Sequence, residues 1–218
     1  MTALKICGIQ TIQEYERIAK HEIDYAGFVL APSKRRVTPE HVRTIIDKSK
    51  VKSSMKQVAV LVDLSLEEIV HTCELVKFDV IQLHGDEDTD LIEQIRNKMN
   101  IEIWKAIPHS EKSLTMMDKY MDAVDGFVID TKVPGKRGGT GLSFDWSTIP
   151  AYSKLANLEQ KRCFIAGGIT PENVTECLTF QPYGIDLSSG VEKGNRKDDT
   201  LLNLLIERMK NFDYNHSK

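Results

Sequence analysis

The chain has 218 residues, enough to bury one large hydrophobic core, and its 41% hydrophobic and 28% charged residues are typical of a soluble globular protein. A formal net charge of −3 gives no electrostatic support for nucleic-acid binding, which a strong basic surplus would indicate. No apolar run approaches the roughly 18 residues of a membrane span, and the N-terminal stretch lacks the features of a secretory signal. We therefore expect no nucleic-acid or membrane partner and a location in the cytoplasm.

Cysteine usage agrees with a reducing compartment. Cys7, Cys73, Cys163 and Cys177 are widely scattered and form no CxxC pair, so their spacing matches neither a zinc site nor a disulfide framework. We expect no metal site. The last three lie in apolar stretches and are predicted to be structural, whereas Cys7 ends a predicted strand.

Short apolar runs alternate with longer amphipathic segments along the whole chain. The predicted strands cover residues 4–9, 25–30, 57–62, 80–84, 102–107, 126–130, 163–167 and 184–188. Such alternation favours a closed barrel or an open doubly wound sheet. The first strand lacks the GxGxxG fingerprint of open sheets, and eight units are the number that closes a barrel. We predict an α/β fold, a single-domain (β/α)8 TIM barrel over residues 1–210, and a polar, frayed tail at 211–218.

Several helices carry recognisable start signals. Thr38 and Thr170 each precede a proline and are predicted N-caps. Ser65 stands three residues before a glutamate, as in a capping box. The sixth helix is the least certain element, because Pro150 could divide it into two short pieces.

The stretch GFVIDTKVPGKRGGTG at 126–141 joins a buried strand to a glycine-rich loop. Asp130 ends the strand, at the edge where parallel α/β folds bind ligands. We expect residues 132–139 to form a lid over that edge. The alternatives are a carboxylate that caps a surface turn and a loop that is merely flexible.

In a barrel, the carboxyl ends of all strands converge on one face. A thiol (Cys7), a basic loop at 32–36, His84, Asp130 and Asp186 would therefore share one pocket. The turns AGGI at 166–169 and LSSGV at 187–191 would expose backbone N–H groups there, as in the phosphate sites of barrels. Tight helix-start turns are the alternative. The predicted phosphate contacts are Gly139, Gly167, Gly168, Ser189 and Gly190.

Taken in order, the motifs resemble those of the phosphoribosylanthranilate isomerase family over nearly the whole chain. The resemblance rests on KICGI at 5–9, GFV at 27–29, SKR at 33–35, QLHG at 82–85, DT at 130–131, GGTG at 138–141, FDW at 144–146, AGGI at 166–169, PENV at 171–174 and DLSSGVE at 186–192. Gln10 departs from the family's usual threonine, and Ala166 replaces a frequent serine. The phosphate contact near Ala166 would then rest on backbone.

The resemblance implies a cofactor-free Amadori rearrangement of N-(5-phosphoribosyl)anthranilate, a small phosphorylated substrate, in tryptophan biosynthesis. It implies that Asp130 is the general acid and Cys7 the general base. It also implies that Arg35 pairs with the anthranilate carboxylate and that Asp186 accepts a hydrogen bond from the anthranilate amino group. For Asp186 the alternative is a carboxylate satisfied by the Ser188–Ser189 turn. His84 either contacts substrate or only orients loops.

The two proposed catalytic groups need opposite electrostatic help. A free thiol is only a few per cent thiolate at neutral pH, and we expect nearby helix N-termini to lower the pKa of Cys7. Asp130 must hold a proton, and desolvation under a lid would raise its pKa.

Three competing functions are weaker. The related isomerase of histidine biosynthesis uses two carboxylates and two phosphate sites, whereas this chain has Cys7 and one glycine-rich pair. A non-catalytic phospho-ligand binder needs no acid–base pair. A thiol-redox role lacks a resolving cysteine near Cys7. Protein partners and oligomeric state stay open.

Overall fold

Eight parallel strands close into a barrel in the computed structural model, which describes residues 2–51, 54–131 and 144–216. Each strand pairs with its neighbours in chain order, and β1 pairs with β8 to close the ring. The strands are β1 Ala3–Cys7, β2 Tyr25–Val29, β3 Lys56–Leu61, β4 Val80–Leu83, β5 Glu102–Pro108, β6 Gly126–Asp130, β7 Arg162–Ala166 and β8 Gly184–Leu187. The predicted single-domain (β/α)8 barrel is confirmed.

A helix follows each strand and packs on the outside of the barrel. The helices are α1 Ile12–Ile18, α2 Pro39–Lys48, α3 Leu66–Leu75, α4 Thr89–Lys98, α5 Ser113–Tyr120, α6 Ile149–Leu158, α7 Val174–Thr179 and α8 Asp199–His216. A small antiparallel hairpin, β9 Glu192–Lys193 and β10 Arg196–Lys197, lies between β8 and α8. Among the described residues, no helix combines the length and apolar character needed to cross a membrane.

Two of the predicted helix starts are confirmed and one is wrong. The Thr38 side chain accepts the N–H of His41, and Ser65 forms a reciprocal capping box with Glu68. Helix α7 does not begin after Thr170, however, but at Val174. Asn173 accounts for the difference, because its side chain accepts the Thr170 N–H at 2.7 Å and donates to the Gly168 carbonyl at 2.9 Å. These bonds favour a turn over a first helical turn.

One expectation about the C-terminal half is confirmed in part and another is revised. The segment around Pro150 does form two short helices, but the boundary between them precedes the proline. Pro150 lies in the first turn of α6, where its missing N–H costs nothing, and a short 3₁₀ helix, Trp146–Thr148, precedes it. Helix α8 continues to His216 and so includes most of the segment that was expected to be a frayed tail. Phe212 packs against the core from that segment, which gives the extension an apolar anchor.

The barrel interior is filled by large side chains toward the amino-terminal ends of the strands. The rings of Trp104 and Phe164 stack with centroids 4.7 Å apart, and Tyr25 meets both rings edge-on. Small residues, Ala106 and Ala166, follow further along β5 and β7. A packed aromatic layer thus closes one end of the barrel, and open space remains at the carboxyl ends of the strands.

Candidate active site

A cavity of about 650 Å³ lies at the carboxyl ends of the strands, and we call it the strand-end cavity. It brings together nine of the residues predicted from sequence: Cys7, Arg35, His84, Asp130, Gly167, Gly168, Asp186, Ser189 and Gly190. The tenth, Gly139, and the predicted lid at 132–139 lie outside the described residues. Residues as far apart in the chain as Cys7 and Gly190 therefore meet in one site.

Cys7 ends β1 and is held by its two neighbouring strands. Gly27 on β2 provides space for the Cys7 side chain, since a Cβ at that position would lie 2.9 Å from the Cys7 sulfur. On the other side, the Ser188 hydroxyl donates to the Cys7 carbonyl at 3.0 Å. Cys7 as a whole residue is partly exposed, and it lines the cavity.

Sequence reasoning missed Lys5, a fully buried cation on the same strand. Its Nζ lies 2.5 Å from Asp186 Oδ2, and the two residues are opposed in the register of β1 and β8. Asp186 thus takes its partner from Lys5 and not, among the described residues, from the Ser188–Ser189 turn. The other oxygen, Oδ1, is buried and accepts no hydrogen bond from the described residues. A charged residue in an otherwise apolar strand was the available signal.

The electrostatics of Cys7 differ from the expectation of a lowered pKa. Burial raises the pKa of the thiol above its ordinary value; Lys5 and Lys197 oppose the rise, and Asp186 adds to it. Burial likewise raises the pKa of Asp186, although Lys5 works against it. The pKa of Lys5 is raised because attraction to Asp186 and Cys7 outweighs the opposing effect of burial. The positive charges that lower the pKa of Cys7 thus come from the side chains of Lys5 and Lys197, where the sequence predicted helix N-termini.

Asp130 stands at the end of β6 in a short chain of polar contacts. Its Oδ1 accepts the N–H of Thr131 at 2.8 Å, and its Oδ2 lies 3.4 Å from His84 Nε2. The Gln82 amide nitrogen lies 2.9 Å from His84 Nδ1. If the amide donates there, as its geometry permits, the imidazole hydrogen sits on Nε2 and faces Asp130. His84 therefore contacts a proposed catalytic residue directly.

Arg35 reaches the cavity wall from the loop after β2 and is already paired. Its Nε and one terminal nitrogen donate to the two oxygens of Glu192 on β9, at 2.7 and 2.8 Å. Gly8 makes this approach possible, because a Cβ there would lie 2.4 Å from Arg35 Cδ. Gly8 also has a φ of +84°, which glycine adopts without strain.

Glu192 joins Arg35 to a second buried cation that sequence reasoning missed. Lys197 on β10 donates to Glu192 Oε1 at 2.7 Å and to the Ser188 carbonyl at 3.0 Å. Burial lowers the pKa of Lys197 even though Glu192 opposes the change. For Glu192 itself burial acts to raise the pKa, but hydrogen bonds from Arg35 and Lys197 hold it below its ordinary value. Arg35, Lys197 and Glu192 therefore form a cluster of two cations and one carboxylate.

The glycine turns after β7 and β8 are packed against each other. Gly167 and Gly168 have φ angles of +89° and +66°. A Cβ on Gly190 would lie 1.9 Å from the Ile169 carbonyl oxygen, and one on Gly167 would lie 2.2 Å from Thr131 Oγ1. The ends of β6, β7 and β8 therefore form one continuous wall of backbone along the cavity.

A barrel whose strand ends present a thiol, two carboxylates and paired glycine turns to one cavity defines an acid–base enzyme of the TIM-barrel class. Comparisons with known proteins specify the family. Residues 4–208 match the model of the family described as N-(5'phosphoribosyl)anthranilate (PRA) isomerase. The N-(5'-phosphoribosyl)anthranilate isomerases of Bacillus velezensis and Bacillus subtilis are 47% and 44% identical to this chain. These matches cover 96% of this chain and 95% and 96% of the two relatives.

Solved structures agree. The phosphoribosyl anthranilate isomerase of Thermotoga maritima matches with a TM-score of 0.82 at 30% identity, over 97% of this chain and 100% of that one. A phosphoribosyl anthranilate isomerase in complex with reduced 1-(o-carboxyphenylamino)-1-deoxyribulose 5-phosphate matches with a TM-score of 0.81 at 29% identity and the same coverage. The chain belongs to the N-(5'-phosphoribosyl)anthranilate isomerase family.

Proposed function

We infer that this protein converts N-(5-phosphoribosyl)anthranilate into 1-(2-carboxyphenylamino)-1-deoxyribulose 5-phosphate in tryptophan biosynthesis, with Cys7 as general base and Asp130 as general acid. The reaction is an intramolecular aldose–ketose isomerisation. One observation carries the assignment of roles: Cys7 on β1 and Asp130 on β6 face the same cavity from strands that are not neighbours in the ring. An acid and a base can then act on opposite sides of one sugar.

The chemistry proceeds in two proton transfers. Asp130 donates its proton to the furanose ring oxygen as the C1′–O bond breaks, and the nitrogen lone pair forms the C1′=N iminium. The Cys7 thiolate then removes the proton from C2′, and the electron pair of that bond forms the C1′=C2′ double bond while the iminium nitrogen becomes neutral. The resulting enolamine tautomerises to the ketone. The iminium serves as the electron sink, so the chemistry requires no metal or organic cofactor.

Substrate groups match the polar features of the cavity. The backbone wall of Gly167, Gly168, Ser189 and Gly190 supports binding of the phosphate. Asp186 Oδ1, which is buried and has no hydrogen-bond partner among the described residues, is an acceptor suited to the anthranilate N–H. These assignments leave the hydrophobic ring against the apolar part of the cavity lining.

Arg35 remains the proposed partner of the anthranilate carboxylate, but it must bind that carboxylate while it is also paired with Glu192. Glu192 occupies two donors of its guanidinium. Because Arg35 and Lys197 together carry two positive charges against the one carboxylate of Glu192, the group retains a net positive charge for a substrate anion. Guanidinium groups also keep further N–H donors for a second carboxylate.

A cytoplasmic location is part of this proposal. All four cysteines are free, and two of them, Cys163 and Cys177, are fully enclosed in the core. Free thiols at the base position and in the core suit a reducing compartment.

The test is the loss of anthranilate-type fluorescence when the purified protein meets freshly made N-(5-phosphoribosyl)anthranilate. Cys7→Ser and Asp130→Asn should each slow turnover by roughly 10² or more, the usual contribution of general acid–base groups. Cys73→Ser is the matched control, because Cys73 lies on α3 and does not line the cavity. Unimpaired turnover by Cys7→Ser would remove Cys7 as the base, and an inactive parent that still bound the substrate would refute the proposed reaction.

A further inference from the structure

Lys5 has no role in the mechanism above, yet it lies beside both Cys7 and Asp186. Lys5 and Cys7 are two residues apart on β1, so their side chains point to the same side of the sheet. The Lys5 Nζ is fully buried and lies 2.5 Å from Asp186 Oδ2, and attraction to Asp186 and Cys7 raises the pKa of Lys5 against the effect of burial. Three ionisable groups therefore lie together at the ends of β1 and β8, with Lys5 directly beneath the two residues that line the cavity.

A thiolate at Cys7 would lack a compensating positive charge if Lys5 were left out of the sum of charges around it. A buried ammonium needs an anionic partner, and Asp186 supplies one. A thiolate at Cys7 adds a second negative charge. The charged groups that act on Cys7 are Lys5 on its own strand, Asp186 on β8, Lys197 on β10 and Arg35 in the loop after β2. Arg35 and Lys197 share Glu192, and the one positive charge left over is the charge proposed above to bind the substrate carboxylate.

We propose that Lys5 is the shared counter-ion of Asp186 and the Cys7 thiolate, and that it couples substrate binding to the base. This inference rests on the proposed role of Cys7 as general base. When the anthranilate N–H donates to Asp186 Oδ1, the oxygen that does not contact Lys5, the carboxylate interacts more weakly with Lys5. The ammonium then attracts the thiolate more strongly at the moment the base is needed. Lys5 acts through Cys7 and is thus a positioning residue.

A purely structural Lys5 would only satisfy Asp186, and removing either partner would then simply disturb the site. A shared counter-ion predicts a different result, because Lys5 and Asp186 carry opposite charges and both act on the ionisation of Cys7. Lys5→Met removes a positive charge beside Cys7 and should make the thiol harder to ionise. Asp186→Asn removes a negative charge and should make it easier. Opposite signs from the two variants distinguish the two roles.

The experiment measures the rate of Cys7 alkylation by iodoacetamide as a function of pH in the free enzyme. Mass spectrometry of the Cys7 peptide separates it from the other three thiols. The midpoint of the pH dependence should move up by roughly one unit or more in Lys5→Met and down in Asp186→Asn. The double variant, which leaves no unpaired buried charge, should fall between them and guards against misfolding of the single variants.

The matched control is Lys105→Met. Lys105 is also a buried lysine paired with a carboxylate, 3.0 Å from Glu87, but it lies outside the strand-end cavity. It should destabilise the fold and leave the Cys7 midpoint in place. A Lys5→Met midpoint equal to that of the parent, or shifts of the same sign in Lys5→Met and Asp186→Asn, would overturn the inference. Full turnover by Cys7→Ser would instead refute the proposed base and would be seen separately in the fluorescence assay.

Discussion

Gly8 lies against the side chain of Arg35 so closely that the two residues define each other's position. A Cβ on Gly8 would stand 2.4 Å from Arg35 Cδ and 3.3 Å from its Nε. Contacts below 3.0 Å require one partner to shift, and the φ of Gly8 is in the left-handed region as well. A glycine that follows the proposed base thus determines where the proposed carboxylate-binding residue can lie.

Gly8→Ala should therefore weaken substrate binding as well as the fold. Displacing Arg35 would remove its proposed charge-assisted contact with the substrate carboxylate, which corresponds to a KM increase of roughly tenfold or more. The left-handed backbone adds a loss of about 1–2 kcal/mol in the free energy of unfolding. Steady-state kinetics and urea unfolding measure the two effects. Gly194→Ala is the control, since Gly194 has a φ of +59° but nothing within 4 Å of its added Cβ. It should lose stability at an unchanged KM; a normal KM in Gly8→Ala would contradict the role of this contact.

Glu192→Gln should destabilise the protein more than any loss of a surface ion pair. The side chains of Arg35 and Glu192 are only 8% and 5% exposed, so the substitution leaves two buried cations without their carboxylate. A loss of about 2 kcal/mol or more in the free energy of unfolding is expected at neutral pH. Asp199→Asn, which removes the exposed pair with Arg17, should cost less than about 1 kcal/mol. Equal losses in the two variants would show that the buried pair is not special.

The same carboxylate gives a pH signature with a definite sign. The pKa of folded Glu192 lies below its ordinary 4.5, so its stabilising effect is complete above about pH 4.5 and is lost as the pH falls through the folded value. Urea midpoints of the parent should therefore drop more steeply below about pH 4.5 than those of Glu192→Gln. Parallel curves for the two proteins would argue against the linkage.

The alkylation rate of Cys7 should increase with pH well beyond neutrality. Burial raises the pKa of the thiol above its ordinary value, and only the thiolate reacts with iodoacetamide. In the free enzyme this rate should rise close to tenfold per unit between about pH 7 and pH 9, whereas kcat/KM also depends on the proton of the proposed acid, Asp130. Cys73→Ser should follow the parent profile. A plateau reached below about pH 8 would show that the thiol ionises more readily in solution than its burial indicates.

Gly190→Ala tests the backbone wall of the cavity. The new Cβ would meet the Ile169 carbonyl oxygen at 1.9 Å, and a backbone atom cannot rotate away as a side chain can. The turns after β7 and β8 must then separate, which should raise the inhibition constant of inorganic phosphate by roughly tenfold. Competition by phosphate in the fluorescence assay measures it. An unchanged inhibition constant would place the phosphate elsewhere.

The sequence predicted the barrel and most cavity residues because both depend on local patterns. Short apolar runs mark the strands, and a residue that ends such a run, such as Cys7 or Asp130, must face the carboxyl edge. Lys5, Glu192 and Lys197 were missed as functional groups because their importance comes from pairing across the closed ring. Nothing near Lys5 in the sequence indicates Asp186. Pairings of this kind follow from strand register, which sequence patterns do not specify.

Local competition explains the smaller errors. Thr170 and the following proline have the composition of a helix start, but the Asn173 side chain bonds back to Thr170 and to Gly168 and keeps the segment in a turn. The C-terminal segment is polar and was predicted to fray, but it continues α8 to His216, and Phe212 packs against the core. In both cases tertiary or side-chain contacts outweigh the average tendency of the segment.

Closure of the ring between β1 and β8 also determines when the enzyme can first work. Cys7 emerges early from the ribosome, but Ser188, Asp186 and Lys197 belong to the last quarter of the chain, and the bonds from Lys5 and Cys7 to that region span 181 positions. Contacts of such long range form late, after the intervening chain has given up most of its freedom. A nascent chain that lacks β8 therefore carries the thiol without the groups that tune it. The proposed catalytic site is therefore complete only once the final strand has joined the ring.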